Sequence, residues 1–136
     1  MSRPSLEASS KDNKTAPGER AAAVWWRRVF LLYVAVMLML FLLPVPFAQA
    51  ETRHLDKVVH FGIFLGFALL FWIDRQPGPL WTFLVSATFA GTIELAQRML
   101  PYRHGDWMDF AVGALGAGVG VLSLLWAKGR HEERGG

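Results

Sequence analysis

The sequence contains no cysteine, which excludes disulfide bridges and thiolate metal sites. Charged residues are also scarce, at 18% of the 136 positions against 53% hydrophobic residues. Such a chain is too apolar for an ordinary soluble domain and is typical of a membrane protein. The net charge of +3 could suggest a nucleic-acid partner, but the basic residues are concentrated in the two tails and do not form a stripe among aromatic residues. We therefore predict no nucleic-acid partner.

Four apolar stretches follow one another between residues 24 and 127, each close to the roughly 20 residues that cross a bilayer as a helix. We therefore predict an all-α fold, an integral membrane bundle of four transmembrane helices at about 24-46, 56-73, 80-99 and 106-127. Residues 1-23 are too polar to bury a core and are expected to form a disordered tail, and residues 128-136 a basic tail.

The distribution of Lys and Arg predicts how the bundle is oriented. Alternate sides of the four spans carry ten and four of these residues, with the larger number on the side of the two termini. Basic residues are enriched on the cytoplasmic side of membrane proteins. Both termini are thus expected in the cytoplasm, and the protein is expected as a multi-pass component of a bacterial inner (plasma) membrane.

The first apolar stretch also has features of a cleavable secretory signal. Arg27 and Arg28 precede an apolar core, and Ala48-Gln49-Ala50 offers small residues at a cleavage position. The three following apolar stretches favour a retained helix. Cleavage stays open as an alternative, and it leaves the orientation of the other helices unchanged.

Small residues are spaced to bring helices close together. Lipid gives apolar helices no reason to associate, so membrane helices commonly pack through GxxxG patterns. The second stretch contains one such pair and the fourth contains another, and we predict helix packing at Gly62, Gly66, Gly113, Gly116 and Gly120. The same faces could join two copies of the chain as a homo-oligomer.

Polar residues gather at the ends of the apolar stretches that a hairpin path brings to the outer face. We predict that they form one ligand-binding site, comprising Asp56, Lys57, His60, Glu94, Gln97, Arg103, Asp106 and Asp109. Glu94 and His60 lie deepest, and ionisable groups inside a membrane are expensive and usually functional. They are also the candidate catalytic residues, because a buried carboxylate and an imidazole suit acid-base work.

Simpler roles remain open for several of these residues. Asp56, Asp106 and Asp109 fall where helices begin, so they are also suited to capping. Lys57 could extend its ammonium toward the headgroups, and a tilted helix could bring Glu94 to the interface.

Other chemistries have less support. His60, Glu94, Asp106 and Asp109, with His54 and His104, include hard metal ligands, but no HExxH-type spacing is present, so we predict no metal and no cofactor. Ser86 and Ser123 lie in apolar stretches without an elbow motif, which disfavours a serine nucleophile.

Three segments resemble the VanZ-like family of small bacterial membrane proteins. They are Leu55-Asp56-Lys57-Val58-Val59-His60-Phe61, Glu94-Leu95-Ala96-Gln97 and Arg103-His104-Gly105-Asp106-Trp107-Met108-Asp109, followed by the glycine-rich Gly113 to Gly120. The resemblance implies a helical membrane bundle that is associated with the cell envelope. The family is named for an accessory protein of resistance to the glycopeptide teicoplanin, and a link of this chain to teicoplanin susceptibility is a hypothesis that the resemblance does not itself imply. One departure is visible, because Gly113 stands where the family commonly has Asn.

Together these features predict a membrane protein whose outer-face polar site binds a lipid headgroup or a lipid-linked glycan. Lys57 and Arg103 would contact phosphate, while His60, Glu94 and Gln97 orient the ligand and Asp106 and Asp109 hold the basic groups. Two alternatives remain. One is an enzyme that acts on an envelope lipid or cell-wall precursor, and the other is a structural membrane subunit.

Overall fold

The computed structural model describes residues 17–44, 53–102 and 105–135, and the regular elements within these ranges are all α-helices. Helix α1 covers Pro17–Leu42, α2 covers Arg53–Arg75, α3 covers Pro79–Arg98 and α4 covers Trp107–Gly135. Each is long and apolar enough to cross a membrane. The predicted all-α bundle of four transmembrane helices is confirmed, and the chain is a multi-pass membrane protein.

The first helix begins before its predicted span, and the last helix ends after its predicted span. Helix α1 begins at Pro17, and α4 continues through the basic segment to Gly135. Helix α1 ends at Leu42 instead of near residue 46, because Pro44 disfavours helical backbone in the residue before it. Residues 1–16 of the predicted tail lie outside the described ranges.

A tight turn joins α2 to α3, as the Pro77-Gly78-Pro79 sequence predicts. Gln76 takes a left-handed backbone conformation, with φ of 48°, and its N–H donates to the Trp72 carbonyl at 2.7 Å. Helix α3 then begins at Pro79, whose missing N–H is no loss in the first turn of a helix. The short connection forces α2 and α3 to run antiparallel.

Helices α2 and α3 form the centre of the bundle. Both contact α1 and α4, whereas α1 and α4 do not pack against each other in the described part of the chain. The core lies among α1, α2 and α3 and is strongly aromatic, with the buried side chains Met37, Phe41, Phe64, Phe67, Ala90 and Ile93. Since α1 contributes Met37 and Phe41, it is an integral part of the packed bundle.

The glycines of α4 allow it to lie directly against α2, with which it runs parallel. A Cβ at Gly116 would overlap the Phe61 carbonyl oxygen, and one at Gly120 would lie 3.1 Å from the Leu65 carbonyl oxygen. Both positions therefore bring the two backbones together. The predicted small-residue packing is seen at this contact.

The glycines of α2 differ from each other. Gly66 faces the Tyr33 side chain of α1, whose hydroxyl donates to the Ile63 carbonyl at 2.6 Å. Gly62 is exposed and has open space beside it. Among the described residues Gly62 has no helix contact, so its packing role stays a prediction.

Candidate functional site

One end of the bundle gathers most of the polar residues that the sequence singles out. The last turns of α1 and α3 meet the first turns of α2 and α4 there. Four polar side chains at this end are buried, with exposures of 2% for His60, 1% for Glu94, 4% for Gln97 and 6% for Asp109. We call them, with the less buried Asp56, Lys57 and Asp106, the polar cluster.

Lys57 joins α2 to α4 through two carboxylates. Its Nζ donates to Asp109 Oδ1 at 2.7 Å and lies 3.5 Å from Asp106 Oδ2. The Asp109 side chain is 9% exposed, so its charge depends on this ammonium for compensation. The i, i+3 spacing of the two aspartates places both beside one lysine.

Asp106 and Asp109 begin α4 in different ways. Asp106 Oδ1 accepts a hydrogen bond from the Met108 N–H at 3.0 Å, which satisfies one of the donors left free at a helix start. Asp109 instead points to Lys57. The capping role that was open for both aspartates is thus observed for Asp106.

His60 lies beneath this ion pair with one ring nitrogen bonded and the other unpartnered. Nδ1 lies 3.0 Å from the Asp56 carbonyl oxygen, one turn earlier, and 3.7 Å from Asp56 Oδ1. The Phe41 ring covers the imidazole, with the ring centroids 4.5 Å apart. Nε2 is buried and has no hydrogen-bond partner among the described residues. Because a carbonyl only accepts, the Nδ1 bond favours the tautomer that leaves a lone pair on Nε2.

Glu94 brings a carboxylate to the same buried region from α3. It interacts electrostatically with His60, Asp109 and Arg98, and its carboxylate accepts a hydrogen bond from the backbone of Asp106. Its Oε1 is buried without a partner in the described part of the chain. An ionised carboxylate at such a depth costs on the order of 2–3 kcal/mol.

Gly105 explains how the loop before α4 reaches Glu94. A Cβ at this position would lie 2.7 Å from Glu94 Oε1 and 2.9 Å from the Glu94 carbonyl oxygen. Only a residue without a side chain permits this approach. The close contact with Glu94 therefore explains why a glycine stands at position 105, which the sequence motif alone does not.

Gln97 and Tyr102 tie the end of α1 to the end of α3. Gln97 Nε2 donates to the Phe41 carbonyl at 3.0 Å, and the Tyr102 hydroxyl donates to the Leu42 carbonyl at 2.9 Å. The last carbonyls of a helix have no partner within that helix. Gln97 therefore stabilises the chain end beside the site, a contact that the sequence alone does not reveal.

The remaining predicted positions are one exposed residue and three whose side chains lie outside the described part of the structure. Asp56 is exposed at the mouth of the cluster, in the first turn of α2. Arg103 and the reserve ligand His104 lie outside the described residues, as does the side chain of His54. The predicted phosphate contact through Arg103 thus stays a prediction.

A second basic residue at this end was not among the predicted site residues. The Arg98 guanidinium lies over the Trp107 ring, 4.2 Å from its centroid, and links the end of α3 to the start of α4. The contact joins two residues that no short spacing connects, so sequence periodicity could not have indicated it.

The departure at Gly113 has a packing explanation. A Cβ at this position would lie 2.7 Å from the Phe64 ring. Phe64 is 1% exposed, so its ring cannot move into open space. The room that an Asn side chain would need is occupied by this aromatic ring.

The serine hydroxyls are bound within their own helices, as their apolar surroundings predict. Ser86 donates to the Thr82 carbonyl at 2.7 Å and Ser123 to the Val119 carbonyl at 2.8 Å.

The polar cluster brings two carboxylates and an imidazole together. They belong to Asp56, Asp109 and His60, whose candidate ligand atoms lie within 4.8 Å of one another. This end of the bundle can accept hydrogen bonds, exchange protons or hold a cation.

Comparison with known proteins identifies the family. The VanZ/LLP1 family model matches residues 23–128, which include all of α2 and α3 and most of α1 and α4. No curated protein and no solved structure matches the chain. The chain belongs to the VanZ/LLP1 family, and the resemblance carried by its three polar segments is confirmed.

Proposed function

We propose that this VanZ/LLP1 family member acts in the bacterial cell envelope, where its polar cluster binds the headgroup of a lipid or a lipid-linked glycan. The excess of basic residues on the side of the termini supports an orientation with the cluster at the outer face of the inner membrane. In this orientation a ligand would approach the cluster through its exposed mouth at Asp56.

Two buried acceptor atoms support this proposal. His60 Nε2 and Glu94 Oε1 have no hydrogen-bond partner in the described part of the chain, although both are inaccessible to solvent. Buried polar groups are nearly always hydrogen-bonded, and each exception calls for a ligand, a water or a functional role. Acceptors require donors, so the most suitable ligand group is a hydroxyl, as on a sugar or glycerol headgroup.

Few basic groups of this site could contact the phosphate of such a ligand. Lys57 is already bonded to Asp109, so it could reach a phosphate only with its remaining donors. Arg103 lies between α3 and α4 in the sequence, and its guanidinium is a fork that matches phosphate oxygens. In this proposal the buried acceptors recognise hydroxyls, while Lys57 and Arg103 contact the phosphate at the mouth.

The same two atoms would serve an enzyme of the envelope. Glu94 and His60 could act as acid and base on a lipid or cell-wall precursor. Binding and turnover are separated by incubating the purified protein with envelope lipids: product formation that is lost in Glu94→Gln supports the enzyme, and capture without product supports the binding protein.

The binding test uses the full chain purified in a mild detergent, with retained lipids identified by mass spectrometry. Glu94→Gln keeps the shape of the side chain but removes the negative charge, and we expect at least about a tenfold loss of the specific lipid. Asp74→Asn is the matched control, because its side chain is 5% exposed at the other end of α2. Unchanged retention in Glu94→Gln, Arg103→Ala and Asp109→Ala, each normally inserted, would contradict the proposal and leave a structural role.

We also propose that the protein affects susceptibility to teicoplanin, because the family is named for an accessory protein of teicoplanin resistance. The minimal inhibitory concentration is expected to rise when the wild-type chain is overproduced and to stay at the basal value with Glu94→Gln. An equal rise with both chains would separate the phenotype from the polar cluster.

A further inference from the structure

We propose that the polar cluster contains a divalent-cation site formed by Asp56 and His60 of α2 and Asp109 of α4. One ligand atom from each of these side chains lies within 4.8 Å of the other two. The three residues lie on two helices, and Asp109 is 53 positions from Asp56, so the fold, not a short motif, brings the second carboxylate to the other two side chains. The sequence alone predicted no metal because it contains no fixed-spacing motif.

The ligand set indicates the class of metal. Imidazole binds first-row transition metals, carboxylates bind hard divalent cations, and their combination suits Zn²⁺ or Mn²⁺. Metal–ligand bonds of about 2.0–2.2 Å place neighbouring ligand atoms roughly 3 Å apart, so the site must close slightly around an ion. Asp56 is exposed and can make this movement by rotating its side chain.

His60 supplies an observation independent of the carboxylates. It is 2% exposed, Nδ1 is bonded to the Asp56 carbonyl, and Nε2 has no partner among the described residues. Metal-binding histidines commonly donate one ring N–H to a carbonyl, which fixes the tautomer and leaves the other nitrogen for the ion. Because Nδ1 faces Asp56, 3.7 Å from its Oδ1, an ion bound through Nε2 requires the exposed Asp56 side chain to rotate toward that nitrogen.

The charge of the region also favours a cation. Among the described residues of this region, the carboxylates of Asp56, Glu94, Asp106 and Asp109 outnumber the cationic groups of Lys57 and Arg98. In a setting of low dielectric constant, excess negative charge is costly unless a cation compensates it. Lys57 competes with a metal for Asp109, so we expect the ion to share or displace its contact at 2.7 Å.

Metal binding is tested with the full chain in detergent, stripped with EDTA and dialysed against Zn²⁺ or Mn²⁺ at buffered free concentrations. Bound metal is counted by mass spectrometry of the elements, and one ion per chain is expected. Asp56→Asn should weaken binding by at least about tenfold, since even residues behind the ligands alter metal affinity by that factor. Because Asp56 is exposed, its substitution should not unfold the protein, so weaker binding would report the loss of a metal ligand. His60→Gln should also weaken metal binding.

Asp74→Asn is the control, because it removes a carboxylate from the opposite end of α2 and should bind metal as the wild type does. Binding below one ion per chain at millimolar metal, or equal affinity in Asp56→Asn, His60→Gln and the control, would overturn the proposal. The cation and the hydroxyl of the proposed lipid would compete for His60 Nε2, so metal is measured without added lipid and lipid capture is repeated with EDTA. Either proposal can therefore fail alone.

Discussion

At the scale of single residues, Glu94 and His60 differ from their neighbours in having polar atoms that packing does not satisfy. Asp106 caps a helix, Asp109 pairs with Lys57, and Gln97 bonds to the end of α1. Each of those contacts stabilises the fold without any ligand. Glu94 Oε1 and His60 Nε2 lack such contacts in the described structure, so a ligand is the more direct explanation for keeping them buried.

The ion pair between Lys57 and Asp109 gives a prediction about stability. Lys57→Met leaves the nearly buried Asp109 without its partner, and we expect the free energy of unfolding to fall by about 1–3 kcal/mol. Lys57→Met/Asp109→Leu removes both charges and should regain most of that loss. The variants are compared by thermal unfolding in detergent, and a double variant no more stable than Lys57→Met would contradict the assigned pair.

The sequence predicted the depth of these residues better than their partners. Glu94 could be placed inside a span by counting from Leu80, because the rise of a helix is regular. The contact of Gln97 with the Phe41 carbonyl joins residues 56 positions apart and depends on how α1 leans on α3. Helical periodicity contains no information about such a contact.

At the scale of helices, the direct approach of α4 to α2 holds the polar cluster together. The contact of Gly116 with the Phe61 backbone lies about one turn beyond Lys57 on α2 and about two turns beyond Asp109 on α4. Any displacement of α4 would therefore also separate the charged partners. Packing in the apolar part of the interface sets the geometry of the polar part.

Gly116→Ala tests this dependence. The added Cβ would overlap the Phe61 carbonyl oxygen, so α4 must shift, and we expect a loss of about 1–3 kcal/mol in unfolding free energy. Gly118→Ala is the control on the same helix, since its Cβ would meet the Phe83 ring at an ordinary 3.7 Å. It should be neutral or slightly stabilising, because alanine favours helix over glycine. Equal unfolding temperatures for the two variants, measured in the same detergent, would show that the close contact is not required.

The number of helices followed from the apolar stretches, but their contacts did not. GxxxG spacing occurs in both α2 and α4, yet Gly116 and Gly120 lie against α2 whereas Gly62 faces open space. Spacing identifies a surface of small residues and leaves its partner undetermined. Only the packed bundle distinguishes the two cases.

At the scale of the whole molecule, the two ends of the bundle have different chemistry. One end contains the polar cluster. The other contains exposed Trp25 and Trp26 near the start of α1 and exposed Trp126, whose ring lies 4.5 Å from the Arg130 guanidinium, near the end of α4. Tryptophan and basic residues at a span end are typical of an interface with headgroups, and the excess of basic residues predicts that this end is cytoplasmic.

Labelling of single cysteines tests that orientation, and the natural sequence is suited to it because it contains no cysteine. Gly129→Cys lies near the end of α4 and Gly78→Cys in the turn before α3, both with open space beside them, whereas Met99→Cys lies at the opposite end at an 85% exposed position. In cells that have an outer membrane, that membrane is first made permeable. A membrane-impermeant maleimide should then label only Met99→Cys in intact cells and all three variants after lysis. The wild-type chain is the control for background. The reverse pattern would mean that the polar cluster faces the cytoplasm, where a lipid-linked precursor is present only before its export. The labelling pattern therefore decides which envelope lipids the cluster can contact.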